Sequence, residues 1–171
     1  MADKTTDETT SDAVDRILGQ WQRERPDLDA SPMGVIGRMA RLAKHLDRSI
    51  QATVAEFGLN PGEFDVLATL RRSGCPYQLS PTDLFNALMV SSGTMTHRLD
   101  QLERAELVTR IPDLSDRRGT LIVLTNKGLT LIEQAVEAHV ANAHTILSVL
   151  ETSERESLML LLRKLVLAFE A

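Results

Sequence analysis

Cysteine is nearly absent from these 171 residues. Cys75 stands alone, so no internal disulfide can form. Long apolar runs are missing too. None exceeds the length of Leu158 to Leu162, which ends at Arg163, well short of the ~18–20 residues that a membrane span requires. The segment Met1 to Asp15 carries five acids against one lysine and has no apolar h-region. No secretory signal is therefore expected, and the reducing cytoplasm is the expected home. Excess positive charge is also lacking, since the net charge is −5. Asp3, Asp7, Glu8, Asp12 and Asp15 against Lys4 place −4 of that in the N-terminal tail, leaving about −1 for the rest. Any nucleic-acid-binding surface must then come from local arrangement of charge, because bulk charge governs only solubility and steering.

The signatures of catalysis are missing as well. His45, His97, His139 and His144 show no metal-ligand spacing, and His139 and His144 are five apart where stacking on a helix needs four. There is no glycine-rich phosphate loop and no nucleophile motif. The expectation is a protein that is not an enzyme and needs no metal or cofactor. No internal repeat is visible, which argues against a solenoid.

What remains is helical patterning in a composition that is 43% hydrophobic and 25% charged, as in a globular domain. Residues 1–10 are polar and read as a disordered tail. Val14, Ile17, Leu18 and Trp21 lie on one helical face, which ends before Pro26. After a linker from Asp27 to Pro32, Val35, Ile36, Met39, Leu42, Leu46, Ile50 and Val54 renew the stripe as far as Gly58. Three helix starts follow. Asn60-Pro61-Gly62-Glu63 and Ser80-Pro81-Thr82-Asp83 each combine an N-cap, a first-turn proline and a capping-box acid. Ser91 or Ser92 then caps a helix that reaches Ala105. Leu107–Ile111 and Thr120–Leu124 are β-prone runs around a polar loop, hence a hairpin. A long amphipathic helix from Leu129 to Leu150 and a nearly all-apolar helix opening at Ser153-Glu154-Arg155-Glu156 complete the chain.

Helix, short helix, helix and an arginine-tipped hairpin is the order of a winged helix-turn-helix. A reading helix must bury one face and present small polar groups on the other. From Ser91 to Ala105, Met95, Leu99 and Leu102 form the apolar side, with Gly93, His97, Gln101 and Arg104 opposite and Thr94 and Thr96 flanking. Ser91, Ser92, Thr94, Thr96, His97 and Gln101 are the expected DNA contacts. Arg117 and Arg118 at the hairpin tip suit an electronegative minor groove, and Asp116 can hold a guanidinium in place. A solvated helix face and a charged turn are the plainer alternatives.

Two segments carry a family resemblance. Asp116-Arg117-Arg118-Gly119-Thr120-Leu121-Ile122-Val123-Leu124-Thr125-Asn126-Lys127-Gly128 resembles the wing signature of the MarR family of bacterial transcription regulators. Ser91-Ser92-Gly93-Thr94-Met95-Thr96-His97-Arg98-Leu99-Asp100-Gln101-Leu102-Glu103 resembles its recognition helix, with His97 where asparagine is usual. The likeness spans roughly Val35 to Ala171. It implies a mainly α fold, with a winged helix-turn-helix at 59–125, a β-hairpin wing and dimerisation helices at 126–171. It further implies a cytoplasmic homodimer that binds double-stranded DNA at a near-palindrome and acts as a repressor. The apolar final helix agrees, being hard to bury within one small subunit.

The extra helix that carries Trp21, the first of the N-terminal helices at 11–58 expected to serve the ligand site and dimerisation, is similar to that of the family's urate-responsive branch. That resemblance implies a ligand site of Trp21, Asp65, Arg98 and Arg110 for urate or a related small anion. Each residue has an ordinary reading too: Trp21 completes an apolar stripe, Asp65 favours a helix dipole, and Arg110 is a strand residue facing water. Arg98 is more telling, because it flanks the core and wants an anionic partner, with Asp65 as the expected one. A tricarboxylate, xanthine or a phenolic acid could replace urate, and a helical dimerisation protein that binds no DNA is the remaining alternative. Cys75, in Ser73-Gly74-Cys75-Pro76, reads as structural or incidental.

Overall fold

The computed structural model describes residues 11–114, 116 and 119–170. The tail expected at 1–10 and the wing residues Arg117 and Arg118 lie outside them. The elements in chain order are α1 (Ala13–Glu24), α2 (Ser31–Ala55), α3 (Pro61–Arg72), β1 (Gln78–Leu79), α4 (Pro81–Leu88), α5 (Ser92–Arg104), β2 (Val108–Pro112), β3 (Thr120–Leu124), α6 (Asn126–Ile146) and α7 (Thr152–Leu167). Two compact units result, residues 1–49 and 50–171, so the division falls within α2.

In the first unit Asp12 caps α1, accepting from the amides of Val14 and Asp15 at 2.7 and 3.0 Å. Arg38 of α2 then binds both Asp12 and Asp15, at 2.8 and 2.6 Å. Val14 is buried against Gly37, where an added Cβ would sit 3.3 Å from the valine. α2 begins inside the expected linker, because Asp29 accepts the Ser31 amide at 3.0 Å and starts the turn.

The second unit has one core. Leu67 and Leu70 of α3, Leu84 of α4, Met95, Leu99 and Leu102 of α5, Ile122 of β3 and Ile132 of α6 are fully buried within it. Its sheet is antiparallel in the order β1-β3-β2. Arg110 lies opposite Ile122, and Gln78 opposite Val123. The hairpin forms as expected, but β1 was not legible in the sequence. Two residues have no periodicity, and pairing to β3 alone makes them a strand. The caps at Asn60, Ser80 and Ser91 are all formed.

Two C-terminal expectations change. The helix from Leu129 does not run on to Leu150: α6 stops at Ile146 and a single 3-10 turn, Leu147–Val149, follows. The last helix opens earlier than Ser153. The Glu151 amide donates to the Glu154 carboxylate at 2.8 Å, so the capping pair sits two residues upstream. Among the described residues no helix is long and apolar enough to cross a membrane.

Candidate functional site

α5 is held at both ends. At its start Ser91 Oγ accepts the Thr94 amide at 3.2 Å and lies 2.9 Å from Thr94 Oγ1. At its end the Lys127 ammonium donates to the Ala105 carbonyl at 2.8 Å, a cation placed where the helix dipole is negative. Met95, Leu99 and Leu102 are buried as the periodicity requires. Ser91, Ser92, Gly93, Thr94, Thr96 and His97 are exposed, and Gln101 is half-buried. The Thr96 hydroxyl donates back to the Ser92 carbonyl at 3.0 Å. The α5 surface opposite the core is thus a row of small polar groups around an imidazole. The first-turn amides of Ser92 and Gly93 have no carbonyl one turn back to bind within the helix.

The wing is closed by its backbone. The Gly119 amide donates to the Asp116 carbonyl at 2.8 Å, and the Asp113 amide donates to the Gly119 carbonyl at 3.0 Å. Asp116 therefore shapes the turn through its main chain.

Arg110 joins the wing strand to α5. Its guanidinium pairs with Asp100 at 2.7 Å and also with Glu103, one turn further along the same helix face. Both carboxylates push the Arg110 pKa above its ordinary value, Asp100 most strongly. Sequence reasoning missed both partners, although Asp100 and Glu103 are spaced as neighbours on a helix surface. Arg110 thus ties β2 to α5 through two ion pairs.

Arg98 and Asp65 are brought near one another but form no ion pair, contrary to the sequence expectation. The Arg98 guanidinium instead lies over Gly62 in the first turn of α3. Asp65, in the following turn, retains much solvent-facing surface, yet surrounding protein desolvates it. That desolvation holds its pKa above the ordinary carboxylate value, against the opposing pull of Arg98, Arg72 and His139. Asp65 also lines a cavity of about 520 Å³ with Phe64, Arg72, Val136 and His139. The Phe64 and His139 rings pack with centroids 5.0 Å apart, and His139 Nδ1 is buried without a hydrogen-bond partner. His139 was set aside in the sequence for lack of metal-ligand spacing. Its position three residues after Val136 on the α6 stripe is the signal that places it against α3. Trp21 belongs to the first unit, on α1, and is 38% exposed.

The raised Asp65 pKa has a testable sign. A carboxyl whose folded pKa exceeds its unfolded value costs stability when ionised, and the cost disappears below the unfolded value of about 3.8. Asp65→Asn is therefore expected to raise Tm at pH 7 and to leave it unchanged near pH 3.5. A lower Tm for the variant at pH 7 would show that the ionised form is stabilised in the folded state.

A model of the MarR family matches residues 59–120 of this chain. The HTH-type transcriptional regulator PecS of Dickeya dadantii is 46% identical over 149 residues, covering 87% of this chain and 90% of that protein. A mutant of Escherichia coli MarR complexed with operator DNA superimposes with a TM-score of 0.68 at 26% identity, over 91% of this chain and 99% of that one. Bordetella bronchiseptica BpsR, whose structure concerns regulation of DNA binding by 6-hydroxynicotinic acid, matches with a TM-score of 0.68 at 26% identity over 78% and 98%.

Proposed function

Because the chain belongs to the MarR family of winged helix-turn-helix DNA-binding transcription regulators, we propose that it is a cytoplasmic repressor whose grip on DNA is released by a small anion. One observation carries this reading. A single helix, α5, presents hydroxyls and His97 outward and Arg98 inward toward α3. Whatever binds Arg98 acts on the DNA-reading element itself, and Arg110 passes the same displacement to the wing strand. This is a coupling between two sites, of the kind that typically changes affinity ~5–150-fold.

Urate is the proposed effector, on the resemblance of Trp21, Asp65, Arg98 and Arg110 to the urate-responsive branch. A planar, weakly acidic ring bound beside Arg98 brings negative charge toward the already desolvated Asp65, and relieving that repulsion favours movement of α5. The cavity beside Asp65 has an aromatic wall and a His139 nitrogen in need of a partner. BpsR, regulated by 6-hydroxynicotinic acid, shares the ligand class of a heteroaromatic acid. A tricarboxylate, xanthine or a phenolic acid would use Arg98 in the same way.

The active species is a homodimer. Leu158, Leu161, Leu162 and Leu165 of α7 are all exposed in the single chain, and burying such a face drives association. Residues 11–58 and 126–171 would then serve dimerisation, and 59–125 would read DNA. Paired α5 helices would span half-sites about one turn, roughly 10 bp, apart. Ser91, Ser92, Thr94, Thr96, His97 and Gln101 would enter the major groove, with Arg117 and Arg118 reaching the minor groove.

The test is a mobility shift on the DNA upstream of the protein's own gene, titrated with urate at fixed salt. Urate is expected to weaken binding, and Trp21→Phe to raise the urate needed about tenfold or more. Binding indifferent to urate leaves a regulator with another effector. A folded protein that shifts no DNA at low salt would remove the repressor reading.

A further inference from the structure

Gly62 occupies the second position of α3, inside a helix whose first turn is closed by Asn60 and Glu63. Its backbone is helical, so nothing in the main chain calls for glycine, and glycine there costs helix stability relative to alanine. The reason lies outside the helix. A Cβ built on Gly62 would sit 2.5 Å from Arg98 Nε, 2.6 Å from Cζ and 2.9 Å from Nη2. No real side chain tolerates such contacts, so the bare Cα of Gly62 is the surface on which the guanidinium rests.

The electrostatics of that seat are unfavourable to a cation. The amides of the α3 N-terminus carry partial positive charge, and Glu63 is committed to the Asn60 amide at 2.9 Å. No ion pair joins Arg98 to a carboxylate among the described residues. The guanidinium thus rests by close approach on the bare backbone of Gly62, in no direct ion pair, while Asp65 acts on its charge from farther off. Losing the seat would let it swing to a nearby carboxylate, Asp65 being one helical turn away.

We propose that Gly62 is the positioning residue for Arg98: it holds the guanidinium in the pose that receives the anionic effector, without touching effector or DNA. The part concerning the effector rests on the function proposed above. The part concerning the seat does not.

The two parts separate in one set of variants. In a thermal-unfolding cycle of wild type, Gly62→Ala, Arg98→Ala and the double variant, Gly62→Ala is expected to raise Tm by about 1–3 °C once Arg98 is gone, as for any helix glycine. In the presence of Arg98 that gain should vanish or reverse, because the guanidinium must leave. Equal shifts in the two backgrounds would overturn the seat. In the mobility-shift assay Gly62→Ala should bind DNA within about threefold of wild type and need at least about tenfold more urate for release, matching Arg98→Ala. A normal urate response from Gly62→Ala would overturn its positioning role. If wild type itself ignores urate, the urate assignment fails and the unfolding cycle alone decides whether Gly62 seats Arg98.

Discussion

Gly128→Ala is expected to lower Tm by about 6–12 °C and to abolish operator binding at the temperature where the wild type binds. An alanine Cβ at this position would lie 2.0 Å from the Leu107 carbonyl oxygen, 2.9 Å from its carbon and 3.2 Å from its Cα. These are backbone atoms of a buried residue at the entry to β2, so no side chain can swing away. The Leu107 carbonyl also accepts from the Thr125 amide at 3.1 Å and from Thr125 Oγ1 at 3.2 Å. Thr125 in turn caps α6 by accepting the Gly128 amide at 3.0 Å. Relieving the clash therefore separates the start of α6 from the wing and strains three hydrogen bonds at about 1 kcal/mol each. The small gain from removing a helix glycine does not offset this. A loss of about 3 kcal/mol corresponds to the stated fall in a chain of this size. Gly93, where an added Cβ would meet no atom from outside its own helix within 4 Å, is the control, and Gly93→Ala should leave Tm unchanged or raised. Similar Tm values for the two variants would show that the α6–β2 junction absorbs a methyl group at little cost.

Arg110→Gln should weaken operator binding about tenfold while leaving the protein folded. The wild-type guanidinium neutralises Asp100 and Glu103 on α5. Removing it leaves two carboxylates one turn apart on the helix that must approach phosphates. It also removes the polar tie between α5 and β2, leaving the core contacts of Leu99 and Leu102 with Leu107 and Val108 to hold helix against wing. Partial exposure of all three side chains screens the pair, so the stability lost is only about 1–2 kcal/mol. The effect on DNA is larger because charge and register act together there. Neutralising the partners as well, in Arg110→Gln with Asp100→Asn and Glu103→Gln, should recover part of the affinity by removing the repulsion. If the single variant binds operator as wild type does, Arg110 has no part in holding α5 for DNA.

These two positions also show how much is legible in the sequence. Gly128 stands in a recognisable wing signature, but its necessity comes from the Leu107 carbonyl, a contact 21 residues away in sequence. Arg110 was singled out as a ligand-site residue, but the two α5 acids that hold its guanidinium were not. Caps at Asn60, Ser80 and Ser91 were legible because capping is local: the side chain and the amides it satisfies lie within four residues. The burial of Met95, Leu99 and Leu102 was legible because a 3.6-residue period states which face turns inward. β1 was not, since a two-residue strand acquires its identity only from β3 beside it. The missing Arg98–Asp65 pair was not legible either, because periodicity gives a direction and not a distance.

From its sequence alone, then, this chain is a mainly helical winged helix-turn-helix protein with a polar reading face on α5. Those properties follow from interactions between residues a few positions apart, which pattern and spacing encode. The tertiary structure decided which charged groups meet: Arg98 over Gly62, Arg110 between Asp100 and Glu103, and Asp65 desolvated beside His139. Such pairings depend on where separate helices and strands come to rest, to within an ångström or two, and only the packing of the core sets that.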